Sequence, residues 1–387
     1  MPSINARIVF SRVVTLLCFG LVAGQGCHAE SDDAPAGEVY VFDEALGDRG
    51  QMEIYFPKNH DRSKPVPGVI LFHGGAWVSG HLKDFRFQAH YLASRGLVAA
   101  TSHYELAPKG GGKDAQGRTK QEITNASGKR AIRWFRSHAA ELGIDPDRII
   151  AGGGSAGAQT ALLASLHPGL NHPDDDASID CSVSAYLLFN PATGLANGLA
   201  QKQGATTYVM THAKPLELPP TIALFGTSDP YLASFQPLYD TLVEAGAPDM
   251  EIWYGQWAGH GFFKDQPWRD LCVIQVDRFL TRLGYLEGEP TLSVPEGGAV
   301  LTQDPSPQLT DEVAARQVHI FRKNGHSKGC TQPGKANWLE TAPIMTIAEA
   351  LAEGMMMCPS CQPALPQCEH ERGEANCRDC RKAASSR

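Results

Sequence analysis

The chain has 387 residues, 42% of them hydrophobic, and a formal net charge of −8 at pH 7. That length exceeds one average domain, so a large domain with an appendage is expected. The negative balance speaks against a general nucleic-acid binder, and beyond the N-terminus no apolar run reaches membrane-spanning length.

Residues 1–29 read as a signal peptide. Arg7 and Arg12 form a basic start, Val13 to Val22 a short apolar core, and Cys27-His28-Ala29 a cleavage site before Glu30. An uncleaved anchor and a lipidated Cys27 are the rival readings, but Gly24-Gln25-Gly26 lacks the aliphatic residue usual before a lipoprotein cysteine. Cleaved export predicts a periplasmic or secreted protein with no stable membrane span.

Residues 38–288 alternate strand and helix patterns. Strands are expected at 39–42, 52–56, 69–72, 97–102, 148–151, 183–189, 221–225 and 250–254, and helices at 85–94, 119–142, 155–166, 231–245 and 268–283. Short Val/Ile/Leu-rich strands alternating with helices predict an α/β fold, a mostly parallel sheet with helices on both faces. Catalytic groups in such sheets lie past the carboxyl ends of the strands.

Gly152-Gly153-Gly154-Ser155-Ala156-Gly157 stands between a strand pattern and a helix pattern. A G-x-S-x-G run in that setting is a nucleophile elbow, with Ser155 as nucleophile. Gly153 and Gly157 remove Cβ atoms that would meet the crossing backbone. An incidental serine in a glycine-rich turn is the bland reading, and a phosphate loop is disfavoured because no Gly-Lys-[Ser/Thr] follows. A weak hydroxyl nucleophile needs a base and an oxyanion site, so three further signals are required. His73-Gly74-Gly75-Ala76-Trp77 follows a strand, where amides of Gly74 and Gly75 join that of Ala156 as oxyanion donors; His73 itself reads as structural. Asp229, in Gly226-Thr227-Ser228-Asp229-Pro230, ends the next strand but one, and His260 lies between Gly259 and Gly261 after the last. The order Ser155, Asp229, His260 is that of an α/β-hydrolase triad. Activity should then fall as His260 takes up a proton, because a protonated imidazole accepts nothing from the serine. Trp77 and Phe262, with Phe263, are candidates to line the substrate pocket or to join the core. Glycines between Asn190 and Pro219, where this fold often inserts a cap, suggest an open pocket for small acyl groups.

Together these residues, with Tyr104-Glu105-Leu106-Ala107-Pro108, Ala131-Ile132-Arg133-Trp134 and Gly143-Ile144-Asp145-Pro146-Asp147-Arg148-Ile149, resemble the α/β-hydrolase superfamily. The resemblance is to its esterase/lipase branch, similar to hormone-sensitive lipase and bacterial acetyl esterases. It implies hydrolysis of short acyl esters, acetyl esters among them, through an acyl-enzyme, with no cofactor for catalysis. Small-molecule esters and acetylated saccharides are the substrates in view. The chain departs from the branch at Ala76 (usually Gly), Glu105 (usually Arg) and Gly154 (often acidic). An amidase or formamidase of the same fold, and a non-catalytic binding protein with a metal-binding tail, are the alternatives.

Residues 289–316, with four prolines between Gly288 and Gln308, read as a linker. Beyond them lie six of the ten cysteines. A Cys/His module at 317–365 and a polar tail at 366–387 are expected. His326, Cys330, Cys358 and Cys361 form a four-ligand set for structural zinc, with a short helix between the pairs. The run from Met345 to Gly354 with Cys358-Pro-Ser-Cys361 resembles the small Ada-type metal-binding fold. Cys358, Cys361, Cys377 and Cys380 fit a zinc ribbon instead, and three disulfides suit an exported protein equally. Oligomeric state stays open.

Overall fold

The computed structural model describes residues 34–110, 113–193, 217–247, 249–295, 299–306, 314–321, 324–326, 342–353 and 356–357. Among these, nine strands form one sheet in the order β1-β2-β4-β3-β5-β6-β7-β8-β9. They are β1 (Glu38–Val41), β2 (Gln51–Tyr55), β3 (Val66–Phe72), β4 (Val98–Ser102), β5 (Ile144–Gly154), β6 (Ala185–Phe189), β7 (Thr221–Gly226), β8 (Met250–Gly255) and β9 (Leu301–Thr302). The pairs from β4 through β3, β5, β6 and β7 to β8 are parallel. β1, β2 and β9 join antiparallel at the two edges.

Side chains alternate across the sheet, and here both faces are apolar. Ile70 and Phe72 of β3 face a core shared with α2 (Lys120–Ser137), α4 (Ala156–Leu166) and α5 (Leu232–Glu244). Val69 and Leu71 face the other core, with α1 (Arg86–Ser94) and α6 (Trp268–Arg282). A strand covered on both sides must be hydrophobic at every position, which is why β3, β6 and β7 read as unbroken apolar runs. Full burial of each large aliphatic or aromatic side chain contributes on the order of 1.5–3 kcal/mol, so the two cores dominate the stability of this unit.

Three expectations change. The helix expected over 119–142 is two helices, α2 and the short α3 (Ala139–Leu142), parted at His138, whose φ of −97° and ψ of 10° leave the helical range. The His138 ring stacks on Trp134 at 4.1 Å and its Nδ1 bonds the Trp134 carbonyl, which settles the break. The strand expected over 148–151 runs from Ile144 to Gly154. A register shift opposite Val66 and Gly68 lets it pass through Asp145-Pro146-Asp147. The segment expected as a linker supplies β9, with Ala299 and Leu301 buried against the sheet.

A second, four-stranded sheet has the order β12-β10-β11-β13. It comprises β10 (Gln317–Phe321), β11 (Asn324–His326), β12 (Ile344–Thr346) and β13 (Met356–Met357). Helix α7 (Ile347–Ala352) is capped by Thr346, whose Oγ1 accepts from the Glu349 amide at 3.1 Å while the Glu349 carboxylate takes the Thr346 amide at 2.8 Å. Among the described residues no helix is long and apolar enough to cross a membrane.

Candidate active site

β5 leads straight into Ser155, which has φ 54° and ψ −116°, and α4 begins at Ala156. The turn is possible because the chain is bare around it: a Cβ on Gly157 would stand 2.1 Å from the Phe72 carbonyl oxygen, and one on Gly153 2.4 Å from the same atom. An L-residue at such dihedrals is strained, and here the strain lifts the hydroxyl off the sheet. Gly154, where the branch often carries an acid, faces Phe263; a Cβ there would lie 2.5 Å from its ring.

The side chains from three strand ends meet. The Ser155 hydroxyl lies 2.7 Å from His260 Nε2. His260 Nδ1 lies 2.8 Å from Asp229 Oδ2. The Asp229 carboxyl is fully buried, while the imidazole is 31% exposed, open to a substrate from one side. Asp229 Oδ1 accepts the Tyr231 amide at 2.8 Å, so both carboxylate oxygens are engaged. The carboxylate oxygen accepts from Nδ1–H, which fixes Nδ1 as the nitrogen that carries the hydrogen. That leaves Nε2 to accept the serine proton.

The loop after β3 brings the expected amides to the serine. A Cβ on Gly74 would stand 3.4 Å from Ser155 Cβ. Gly75 has φ +113°, and a Cβ there would meet the Ser79 carbonyl at 2.2 Å. Ala76 and Trp77 also take positive φ, 54° and 66°. The branch's glycine at Ala76 would adopt that conformation without strain. No carbonyl among the described residues takes the amides of Gly74, Gly75 or Ala156. As the first residue of α4, Ala156 also presents the positive end of the helix dipole.

The loop is braced from below. His73 is buried, stacks on Tyr104 at 4.5 Å and bonds the Gly74 carbonyl through Nδ1. Tyr104 donates to the His73 carbonyl at 3.1 Å. Arg49 donates to the Gly80 carbonyl at 2.9 Å and reaches His103 Nδ1 at 3.1 Å. A guanidinium only donates, so that nitrogen carries no proton. Burial pushes His73 down to about 4 and His103 down to about 3, the latter helped by His73 and Arg49. Both rings are neutral struts. Glu105, where the branch has Arg, forms a two-pronged pair with Arg118 at 2.6 and 3.2 Å.

Of the two pocket candidates, Trp77 is half-buried with Lys120 Nζ 4.4 Å from its ring centre. Phe262 is not a pocket residue. It is buried in the core, edge-on to Trp268 at 5.8 Å, and fills the space a Cβ on Gly255 would need. The αL conformation of Gly261 starts a short helical turn that swings both phenylalanines inward. Phe263 stacks on Phe85 and supports the elbow from beneath. Two residues at the site carried no motif. Tyr231 packs 5.0 Å from the His260 ring, and Asn190, at the end of β6, touches it. A polar residue closing an apolar strand was the one signal for Asn190.

Of the metal candidates, His326 belongs to β11, in register with His319 of β10. Cys330, Cys358 and Cys361 lie outside the described residues, as do the expected signal peptide and most of the cap region. Among the described residues no group of three or more His, Cys, Asp or Glu could hold a metal ion, and Cys181 and Cys272 are free and buried.

Fold and site define an α/β-hydrolase. Residues 52–191 match the family model BD-FAE. A solved structure, the apo form of Thermogutta terrifontis esterase 2, matches at 30% identity and a TM-score of 0.58, covering 66% of this chain and 98% of that one. The same esterase with propionate bound matches at 29% identity and a TM-score of 0.57, covering 66% of this chain and 97% of that one. Esterase LipQ of Mycobacterium tuberculosis is 27% identical over 69% of this chain and 67% of its own length. A probable isoprenylcysteine alpha-carbonyl methylesterase of Arabidopsis thaliana is 31% identical over 39% of this chain; the chain spans only 29% of that relative's length. The chain belongs to the esterase/lipase branch of the α/β-hydrolases.

Proposed function

We propose that this protein is a serine carboxylesterase acting on short-chain acyl esters, acetyl esters included. The observation that carries the reading is the unbroken hydrogen-bond chain Ser155–His260–Asp229 beside the amides of Gly74, Gly75 and Ala156, which no carbonyl among the described residues takes. His260 takes the serine proton as the hydroxyl attacks the ester carbonyl. The oxyanion forms against the amides of Gly74, Gly75 and Ala156. His260 then gives its proton to the leaving alcohol, and water repeats the sequence on the acyl-enzyme. Asp229 favours the imidazolium that exists between these transfers. Losing one oxyanion donor typically costs roughly 3 kcal/mol of transition-state stabilisation.

The short-acyl assignment leans on the propionate-bound relative and on the glycine-rich stretch following Asn190. A panel of p-nitrophenyl esters from acetate to palmitate, with acetylated xylan and formyl and aryl amides alongside, tests it. Highest kcat/KM at two to four carbons supports the reading; preference for long chains or for amides overturns it. Ser155→Ala should lower ester turnover by about four orders of magnitude or more while the thermal midpoint holds. Retained turnover would remove Ser155 as nucleophile.

Two further features of the reading concern the ends of the chain. The leader at residues 1–29 directs export, and the C-terminal cysteines hold structural zinc. N-terminal sequencing of the mature protein tests the first, with an intact Met1 as the contrary result. Zinc content of preparations with mapped thiols tests the second, with three disulfides and no zinc as the contrary result.

A further inference from the structure

We propose that Asn190 is a positioning residue for the base: its carboxamide backs the His260 imidazole and fixes the ring toward Ser155. The inference rests on the serine-esterase reading. Asn190 follows β6 at φ 40°, a conformation that favours Asn, Asp and Gly, and its side chain is wholly buried. Its own amide donates to the Leu224 carbonyl at 2.7 Å, which anchors it between β6 and β7. Oδ1 accepts the Gly261 amide at 3.3 Å. That bond decides the flip of the carboxamide, since a reversed group would set NH₂ against N–H.

The NH₂ therefore faces the imidazole. It lies 3.2 Å from Nδ1 and 3.4 Å from Nε2. Neither nitrogen has an in-plane direction to spare, because Asp229 holds one at 2.8 Å and Ser155 the other at 2.7 Å. A donor at nearly equal distance from both lies against the ring and bonds neither lone pair. The ring cannot swing toward β6, so Nε2 stays on the serine. Among the described residues, the titratable groups facing the ring are Asp229 and Tyr231, both after β7. The link between Oδ1 and Gly261 joins the β6 end to the loop that carries the base, so the clamp and the histidine move together.

Asn190→Asp and Asn190→Gly test this, since both residues tolerate the backbone. In Asn190→Asp one carboxylate oxygen can keep the Gly261 bond while the other replaces the NH₂. The acid limb of kcat/KM against pH should then move up by about one unit, through the charge now facing the ring. In Asn190→Gly the clamp is lost: kcat should fall about tenfold with KM within about twofold, as expected for misorienting a general base. Active sites are counted in each by fluorophosphonate titration, and folding by circular dichroism. If Asn190→Asp does not fold, the glycine variant decides alone. A limb that stays in place with an unchanged kcat per active site overturns the proposal, because a merely structural role would lower only the number of active sites. Wild-type protein that neither turns over esters nor takes up the fluorophosphonate overturns the underlying reading instead, and the proposal with it.

Discussion

Ser155 takes its proposed role from where the backbone puts it. At φ 54° its hydroxyl stands clear of β5 and reaches His260 at 2.7 Å. In the proposed mechanism Asp229 acts one step behind. Asp229→Asn should keep the fold but allow the wrong imidazole tautomer, lowering kcat by about 10⁴-fold; a loss under tenfold would mean that the carboxylate is incidental. Ala76 gives a test in the opposite sense. Its φ of 54° is costly for alanine and free for glycine, so Ala76→Gly should raise the thermal midpoint, by about 1 kcal/mol of stability at most. A lower midpoint would show that the alanine methyl is packed usefully. At this scale the sequence carried much of the answer. Serine, acid and base candidates each follow a strand in a fixed order, and glycines adjoin His260 and bracket the Ser155 turn, so pattern alone named the three side chains that the structure brings together. Phe262 stayed open between pocket and core because Gly-His-Gly-Phe-Phe does not say which way the turn after the histidine rolls. Asn190 carries no such pattern, because its place at the site depends on a histidine 70 residues away.

The oxyanion loop is the element on which acid sensitivity should fall. His73 and His103 stay neutral in the fold at pH values where the unfolded chain protonates both. Their folded values, about 4 and about 3, lie below the ordinary 6.5. The unfolded state therefore binds more protons between about pH 6.5 and pH 4, and stability falls as pH drops through that window. Each ring can contribute up to about 1.4 kcal/mol per pH unit. Calorimetry in buffers of different ionisation heat should find net proton uptake on unfolding at pH 5.5, reduced in His103→Asn. No difference between the two proteins would contradict the account. His73-Gly-Gly-x-Trp was legible as a loop after a strand. The brace beneath it, from Arg49 and Tyr104, was not, because those residues come from elsewhere in the chain. β5 was read short for a similar reason: Asp-Pro-Asp looks like a turn until the pairing with β3 is known.

At the scale of the molecule, the sheet does not end where the sequence pattern does. Proline-rich composition marks residues 289–316 as a connection, yet Leu301 and Thr302 pair with β8, and Gln256 donates to the Asp304 carbonyl at 3.0 Å. Thr291 also donates to the Tyr91 hydroxyl at 3.1 Å, and Tyr91 in turn bonds buried Asp277 at 2.6 Å. The catalytic unit thus includes chain beyond Gly288. Leu301→Ala should cost about 2–3 kcal/mol in urea unfolding; a cost within 0.5 kcal/mol, as for an ordinary surface substitution, would return the segment to a linker. Composition misled here because a two-residue edge strand has no periodicity to detect.

The central claim is that Ser155 is made nucleophilic by His260 and Asp229. It is tested most directly by reacting the protein with a fluorophosphonate and mapping the adduct by peptide mass. The account predicts one adduct per chain, on Ser155, with the labelling rate falling sharply in His260→Ala. Labelling elsewhere, or labelling of Ser155 at the same rate without His260, would contradict it.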